Sequence, residues 1–265
     1  MSLKSIAAWQ RLTTPLIALV IFLSGWEILV RSLSVSPLIL PPPSAVANVL
    51  VNQFGSLITQ SGITLLESVL GFLLGCVAAF SLATLFVFSR IAEQALYPYA
   101  IALKAIPLVA LAPIVVVWFG TGLASKVFLA AVIAFFPVLV NAIDGLKAIE
   151  PEALELLTML SASKWQIFTK LRIYTALPSI FAGMKVASSF AVVGAVVAEF
   201  VGSDQGIGFV IKSSSYYLNT DLTFAAIIVS ALIGLIFFWI ISWLETKIIF
   251  WKSKDGSVSN TYQAS

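Results

Sequence analysis

Long apolar runs separated by short polar segments make up most of the chain. Each run reaches roughly 20 residues or more, enough for a helix to cross the ~30 Å hydrocarbon core of a bilayer. Lipid offers no partners for backbone polar groups, so these runs are predicted to be helices. The pattern predicts an all-α polytopic membrane bundle in one domain, residues 1–265, with about six transmembrane spans at residues 15–33, 60–88, 96–119, 124–143, 177–200 and 222–248.

Prolines mark two places where this pattern changes. The third predicted span contains Pro107 and Pro113, which interrupt helical hydrogen bonding, so the freed carbonyls are expected to face other protein or a watery path. Ahead of the second span, the prolines at 41–43 favour an extended segment. Ser44 is then predicted to be the N-cap of a short helix that ends near Gln53.

Lysine and arginine indicate the orientation, because basic residues concentrate in the cytoplasmic segments of membrane proteins. With the N-terminus in the cytoplasm, most Lys and Arg residues that flank the spans fall in cytoplasmic segments. Only Arg31, Lys126 and Lys212, all near span ends, fall on the outer side of the membrane. The sequence therefore predicts a multi-pass protein of the cell inner (plasma) membrane with both termini in the cytoplasm. The C-terminal residues, about 252–265, are predicted to be a flexible tail.

The largest predicted cytoplasmic segment, about 144–176, is amphipathic. Pro151 suits the first position of a helix, and Ser163 and Gln166 have the capping-box spacing that begins a second helix. The segment is predicted to fold as an elbow of two short helices. Two interpretations stay open: the elbow packs on its own bundle or on lipid headgroups, or it docks onto a soluble cytoplasmic partner.

Composition excludes several classes of chemistry. Hydrophobic residues make up 60% of the chain and charged residues 10%, against about a quarter charged in soluble domains. The net charge of +3 gives no reason to expect nucleic acid, because the basic residues lie between the spans. The sequence has no histidine, one cysteine (Cys76) and no G-x-x-x-x-G-K-[ST] nucleotide motif. We expect no metal, no cofactor and no catalytic residue in this chain.

Five segments, in chain order, carry a family resemblance. They read "LPPPSAV" (40–46), "VLGFLLG" (69–75), "KAIPLVALAPIVVVWFG" (104–120), "AVVAEFVGSDQGIGFVI" (195–211) and "NTDLTFAAI" (219–227). They resemble the permeases of ATP-binding-cassette (ABC) importers, in the nitrate, sulfonate and taurine branch. The resemblance spans about residues 15–250 and implies a type I importer permease, which is not an enzyme. For the substrate it leaves open a sulfonate- or nitrate-like anion and a pyrimidine- or riboflavin-like vitamin precursor.

The elbow resembles the EAA coupling loop of these permeases. The alignment places the motif's glutamate at Glu155, its two alanines at Leu156 and Leu157, and its glycine at Ser161. A serine at that position requires either a turn without positive φ or a strained turn. The resemblance implies that the residues contacting the ATPase are Glu152, Leu154, Glu155, Leu160, Ser161, Ala162, Lys164 and Trp165.

The resemblance also implies partners. These are cytoplasmic ABC ATPase subunits that hydrolyse the ATP, a second permease copy in a homodimer, and a periplasmic or lipoprotein substrate-binding protein. Two alternatives have no ATPase partner of their own: a ligand-binding membrane subunit of the energy-coupling type, and a passive channel. An intramembrane enzyme would need clustered acids or a nucleophile–base pair, and the sequence has only scattered carboxylates and no histidine.

Polar residues within the spans are the candidates for the translocation path, because such groups are costly in lipid and face protein or water. We single out the carboxylates Glu67 and Glu199 and the adjacent serines Ser188 and Ser189. For Glu67, Ser188 and Ser189, a helix–helix contact is the ordinary interpretation. For Glu199, which is near the predicted outer end of its span, contact with headgroups or with the binding protein is the ordinary interpretation.

Overall fold

The structure is a computed structural model that describes residues 3–251, with side chains described from Thr13 onwards. The predicted tail at about 252–265 lies outside the described residues. Every regular element within them is helical. The helices are α1 (Leu3–Ser32), α2 (Pro43–Asn52), α3 (Phe54–Phe88), α4 (Arg90–Lys104), α5 (Leu108–Phe119), α6 (Leu123–Lys147), α7 (Pro151–Met159), α8 (Lys164–Ile167), a π-helical turn (Phe168–Arg172), α9 (Ile173–Gly202), α10 (Ile207–Tyr216) and α11 (Thr220–Ile248).

The number of spans agrees with the sequence pattern. Five helical segments are long and apolar enough to cross a membrane, and α4 with α5 makes a sixth if the bent pair is one span. The predicted all-α bundle of about six spans is thus confirmed. The third span is broken, however, because α4 and α5 meet at 102°. Pro107 precedes α5 in an extended conformation and has no N–H with which to continue α4, whereas Pro113 lies inside α5.

The fifth span is longer than predicted. α8, the π-helical turn and α9 form one continuous helix of 39 residues, Lys164–Gly202, which we call the long helix. The span was expected to begin near Pro178, but this proline lies inside α9. Membrane helices tolerate an interior proline where neighbouring helices and local π-type adjustments accommodate it. The second helix of the elbow and the fifth span are therefore one element.

The core forms where α3, α6 and the long helix pack side by side. Small residues allow the helix backbones to approach closely. A Cβ on Gly183 would lie 2.6 Å from the carbonyl oxygen of Pro137, and one on Gly194 would lie 2.7 Å from Cα of Ala130. This close packing fixes the relative positions of the polar side chains that the three helices carry.

The short helix α2 is capped differently from the prediction. The N-cap position is Pro42, and Pro43 occupies the first helical position, so Ser44 is not the N-cap. Glu27 of α1 instead accepts hydrogen bonds from the Ser44 N–H at 3.0 Å and from the Ser44 hydroxyl at 2.8 Å. A carboxylate from a neighbouring helix has replaced the local cap, which sequence spacing could not reveal.

Candidate functional site: an exposed elbow and a buried polar cluster

The predicted elbow of two helices is present at one end of the bundle, which we call the elbow end. α7 begins at Pro151, as predicted. The predicted capping box is also confirmed: the Ser163 hydroxyl accepts the Gln166 N–H at 3.2 Å, and Gln166 Oε1 accepts the Ser163 N–H at 2.7 Å. These local contacts define where each helix of the elbow begins.

The elbow presents apolar side chains to its surroundings. No residue of α7 is buried, and Met159, Leu160 and Trp165 are 80%, 69% and 64% exposed. Apolar side chains grouped on an exposed segment favour contact with a partner or a membrane surface. Of the residues predicted to contact an ATPase, Leu154 and Ala162 are half-buried and the others are exposed.

The turn between α7 and α8 has positive φ at Ser161, at +56°. The Ser161 N–H donates to the Thr158 carbonyl at 2.9 Å, and the Ala162 N–H donates to the Leu157 carbonyl at 3.0 Å. This is the Schellman arrangement that ends many helices, usually with glycine at the positive-φ position. A serine at this position required either a turn without positive φ or a strained turn, and the structure has the strained turn.

Replacing Ser161 with glycine is expected to stabilise the elbow by about 1 kcal/mol, because glycine adopts positive φ without the steric cost that a Cβ imposes. Amide hydrogen exchange at residues 157–162 should slow in Ser161→Gly. The matched variant Ser161→Val should exchange faster, since a β-branched residue is least suited to this conformation. Unchanged or faster exchange in the glycine variant would contradict the strained turn.

Contacts from three elements fix the base of the elbow to the bundle. Trp165 and Phe168 stack with ring centroids 5.6 Å apart, and Phe88 at the end of α3 lies 5.0 Å from the Phe168 ring. Within the π-helical turn, Arg172 donates from Nη1 to the Leu146 carbonyl at 2.8 Å. A displacement of the elbow would therefore move the long helix and the ends of α3 and α6.

The two serines predicted for the translocation path lie at helix–helix positions. Ser188 is fully buried and its hydroxyl donates to the carbonyl of Lys185, within its own helix, at 2.8 Å. Ser189 donates to the carbonyl of Gly234 on α11 at 3.3 Å. Nearby, Lys185 pairs with Glu245 of α11 at 2.7 Å. The contacts of Ser189 and Lys185 join the long helix to α11.

The two predicted carboxylates come together at the opposite end of the bundle from the elbow. Glu67 of α3 and Glu199 of the long helix are 4% and 0% exposed, and their carboxyl groups lie beside each other. Lys126 of α6, 2% exposed, is near both and donates to the carbonyl of Thr121. Glu67 Oε2 is buried with no hydrogen-bond partner.

The N-terminus of α10 is bound at this cluster. The Gly206 N–H donates to Gln60 Oε1 at 2.6 Å, the Ile207 N–H donates to the Thr64 hydroxyl oxygen at 2.9 Å, and the Gly208 N–H donates to Glu199 Oε2 at 2.6 Å. The Thr64 hydroxyl in turn donates to Glu199 Oε1 at 2.7 Å. Side chains of α3 and the long helix thus satisfy N–H groups that a helix start leaves unpaired.

Glycine is required at both ends of this short stretch. Gly206 has φ of +92°, and a Cβ there would collide with the Glu199 carboxylate. A Cβ on Gly208 would collide with the Val196 carbonyl oxygen. The spacing of the two glycines in "GSDQGIG" therefore serves the close approach of α10 to Glu199. We refer to Gln60, Thr64, Glu67, Lys126 and Glu199 as the polar cluster.

Sequence reasoning identified Glu67 and Glu199 and missed the other members of the polar cluster. A usable signal was present on α3, where Gln60, Thr64 and Glu67 follow spacings of four and three residues and so share one helix face. Lys126 gave no comparable signal, because a lysine near a span end normally reaches the headgroups.

An open cavity of about 550 Å³ lies between the α4–α5 bend, α6 and the long helix. Its wall is mostly apolar, with the polar side chains Lys104 and Asn141. Among the residues that the structure describes, no group of three or more His, Cys, Asp or Glu side chains could hold a metal ion.

The structure is thus a helical membrane bundle with a structured, exposed elbow at one end and a buried polar cluster at the other. The comparison with known families agrees: residues 71–250 match the family described as "Binding-protein-dependent transport system inner membrane component". The chain belongs to this family of ABC transporter permeases, which are multi-pass inner membrane proteins of the type I permease fold.

Curated relatives cover nearly the whole chain. A probable ABC transporter permease protein of Haemophilus influenzae is 35% identical over 90% of this chain and 98% of its own length. The formylaminopyrimidine transport permease protein ThiX of Halalkalibacterium halodurans is 34% identical over 87% of this chain and 92% of its own. The riboflavin transport system permease protein RibX of Chloroflexus aurantiacus is 34% identical over 92% of each. Such permeases generally work with ATPase and substrate-binding subunits.

Proposed function

We propose that this chain, as one domain over residues 1–265, forms the translocation path of an ABC importer and is driven by ATPase subunits that bind the elbow. The observation that carries the proposal is the exposed apolar elbow at the end of a continuous 39-residue helix. Apolar residues that protrude from a helix pair fit a groove on a partner. Because α8 continues into α9, a push on the elbow would be transmitted along the whole span.

Basic residues at the elbow end support a cytoplasmic location for it. Arg90, Lys147, Lys164, Lys170 and Arg172 lie at this end of the bundle, as the positive-inside tendency requires of a cytoplasmic face. Both termini are then cytoplasmic, and the polar cluster with α10 lies on the outer side, where the substrate-binding protein would dock.

The cavity beside the α4–α5 bend supports a second copy of the permease. Apolar residues around the bend remain exposed in the single chain, among them Ile106 at 40% and Val109 at 68%. We propose that two copies form a homodimer whose facing cavities become the translocation path. Lys104 and Asn141 would then face a small substrate that carries an anionic group or a polar heterocycle.

The substrate proposed from the relatives is a pyrimidine- or riboflavin-like vitamin precursor or a sulfonate- or nitrate-like anion. ThiX and RibX carry names of the first kind. The taurine transport system permease protein TauC of Escherichia coli, 28% identical over 85% of this chain, carries a name of the second kind.

Purification from native membranes tests the proposal. The tagged chain is expected to co-purify with an ABC ATPase, and proteoliposomes containing both should take up substrate only with ATP and the binding protein present. Formylaminopyrimidine, riboflavin and taurine would be offered in parallel. A chain that binds a vitamin tightly by itself would be a ligand-binding subunit, and ATP-independent flux would indicate a passive channel; either result contradicts the proposal.

A further inference from the structure

The long helix joins the elbow to the polar cluster without a break. Trp165 is exposed at its first turn, and Glu199 is buried near its last turn. At the helical rise of about 1.5 Å per residue, the two side chains are separated by roughly 50 Å along the axis. The elbow and Glu199 therefore belong to one continuous element.

At that far end, Glu199 is the side chain through which the long helix holds α10, beside the contacts that Gln60 and Thr64 of α3 make. Its two carboxylate oxygens accept the Gly208 N–H at 2.6 Å and the Thr64 hydroxyl at 2.7 Å. A carboxylate at a helix N-terminus is favoured by the helix dipole, and hydrogen bonds to an ionised acceptor are about twice as strong as neutral ones. The long helix thus binds α10 through one carboxylate, whereas α3 binds it through the neutral side chains of Gln60 and Thr64, whose hydrogen bonds are the weaker kind.

The polar cluster contains two carboxyl groups and one lysine. If one carboxyl group binds a proton, the remaining negative charge is compensated by Lys126. Ionised carboxylates side by side repel each other, and of the described side chains Lys126 is the one cation that acts on both Glu67 and Glu199. Glu199 accepts two hydrogen bonds, which suits an ionised carboxylate, while Glu67 has a buried oxygen without a partner. Asp204 before α10 and Lys212 on it are exposed and lie outside this balance.

We propose that Glu199 is a positioning residue of the transport cycle: its ionised carboxylate binds the start of α10, so that α10 moves with the long helix, while Glu67 carries the proton. When the elbow is displaced, the long helix draws Glu199 and α10 away from Gln60 and Thr64 of α3, and the opposite end of the bundle opens. This inference rests on the proposed coupling function of the elbow.

The test uses a reporter cysteine at Ile207, which is fully buried. Because Cys76 is the sole cysteine of the chain, Cys76→Ala gives a clean background for Ile207→Cys and a membrane-impermeant maleimide. Removing the charge with Glu199→Gln weakens the hold on α10, so labelling of the assembled transporter should become about tenfold faster and uptake about tenfold slower. Glu67→Gln imitates a protonated carboxyl and should leave the labelling rate of Ile207→Cys at that of the parent.

Each other outcome counts against the inference. An unchanged labelling rate in Glu199→Gln, with normal membrane insertion, would show that this carboxylate does not hold α10. Effects of Glu67→Gln as large as those of Glu199→Gln would overturn the assignment of the proton to Glu67. If Glu199→Gln fails to insert, Glu199→Asp, which keeps the charge but shortens the side chain, is measured in its place and should raise labelling in the same direction.

An elbow variant separates this inference from the proposed function. Leu160→Asp should abolish the change in labelling that ATP produces in the assembled transporter, and should leave nucleotide-free labelling at the parent rate. If the ATP-dependent change persists in Leu160→Asp, the elbow is not the coupling element. The result for Glu199→Gln without nucleotide still decides whether Glu199 holds α10.

Discussion

Substrate uptake is expected to fall at least tenfold when Met159 and Leu160 are both replaced by aspartate. Both side chains are more than half exposed at the elbow. Burying each against a partner would contribute about 1.5–3 kcal/mol, so losing both weakens the ATPase contact by about 100-fold or more. The amount of chain in the membrane should stay constant, because neither side chain contributes to the core.

The matched control exchanges the same two positions without changing their polarity. Met159→Leu with Leu160→Met conserves apolar volume and should retain uptake near the parent level, since volume-conserving swaps are well tolerated. The measurements are ATP-dependent uptake in proteoliposomes and the amount of ATPase recovered with the tagged chain. Full uptake by the double aspartate variant would remove the basis for assigning the elbow to coupling.

Replacing Lys126 with methionine is expected to destabilise the chain by about 3–5 kcal/mol, because it leaves a buried carboxylate without its compensating cation. Lys126 is 2% exposed beside Glu67 and Glu199. In detergent the midpoint of thermal unfolding should drop by about 10 °C. The exposed Lys212, changed to methionine as the control, should shift it by much less, since exposed substitutions usually change stability by about 0.5 kcal/mol or less.

Double variants identify which carboxylate carries the charge. Adding Glu199→Gln to Lys126→Met should recover part of the lost stability, because no uncompensated charge would remain. Adding Glu67→Gln should recover little, since Glu67 is already neutral in the proposed arrangement. The reverse order of recovery would assign the charge to Glu67.

The spans could be predicted from the sequence because lipid imposes one strong local rule: an apolar run must satisfy its own backbone. The elbow could be predicted too, because Pro151 and the Ser163–Gln166 capping box act through local hydrogen bonds. The predictions that were wrong depended on neighbours. Ser44 is not an N-cap because Glu27 of another helix supplies the acceptor, and Pro178 does not begin a span.

For the candidate sites too, individual residues could be predicted from the sequence, whereas their contacts with other helices could not. The resemblance located the elbow residues, and their exposure could be read once the fold was known. Glu67 and Glu199 were each candidates for the translocation path because a carboxylate within a span is costly. The two carboxylates lie near each other, near Lys126 and near the start of α10 because of the way α3, α6 and the long helix pack. The spacing of these residues along the chain does not contain that information.

The sequence by itself determined that this protein is a helical membrane protein with an elbow between its fourth and fifth spans, because hydrophobic run length, caps and turns act over a few residues. Only the tertiary structure decided that the elbow continues into a 39-residue helix and that the far end of this helix binds α10 through Glu199. Helix packing through small residues brings together groups more than a hundred positions apart, as Thr64 and Glu199 show. In a low-dielectric interior such groups must find partners, whatever their distance along the chain.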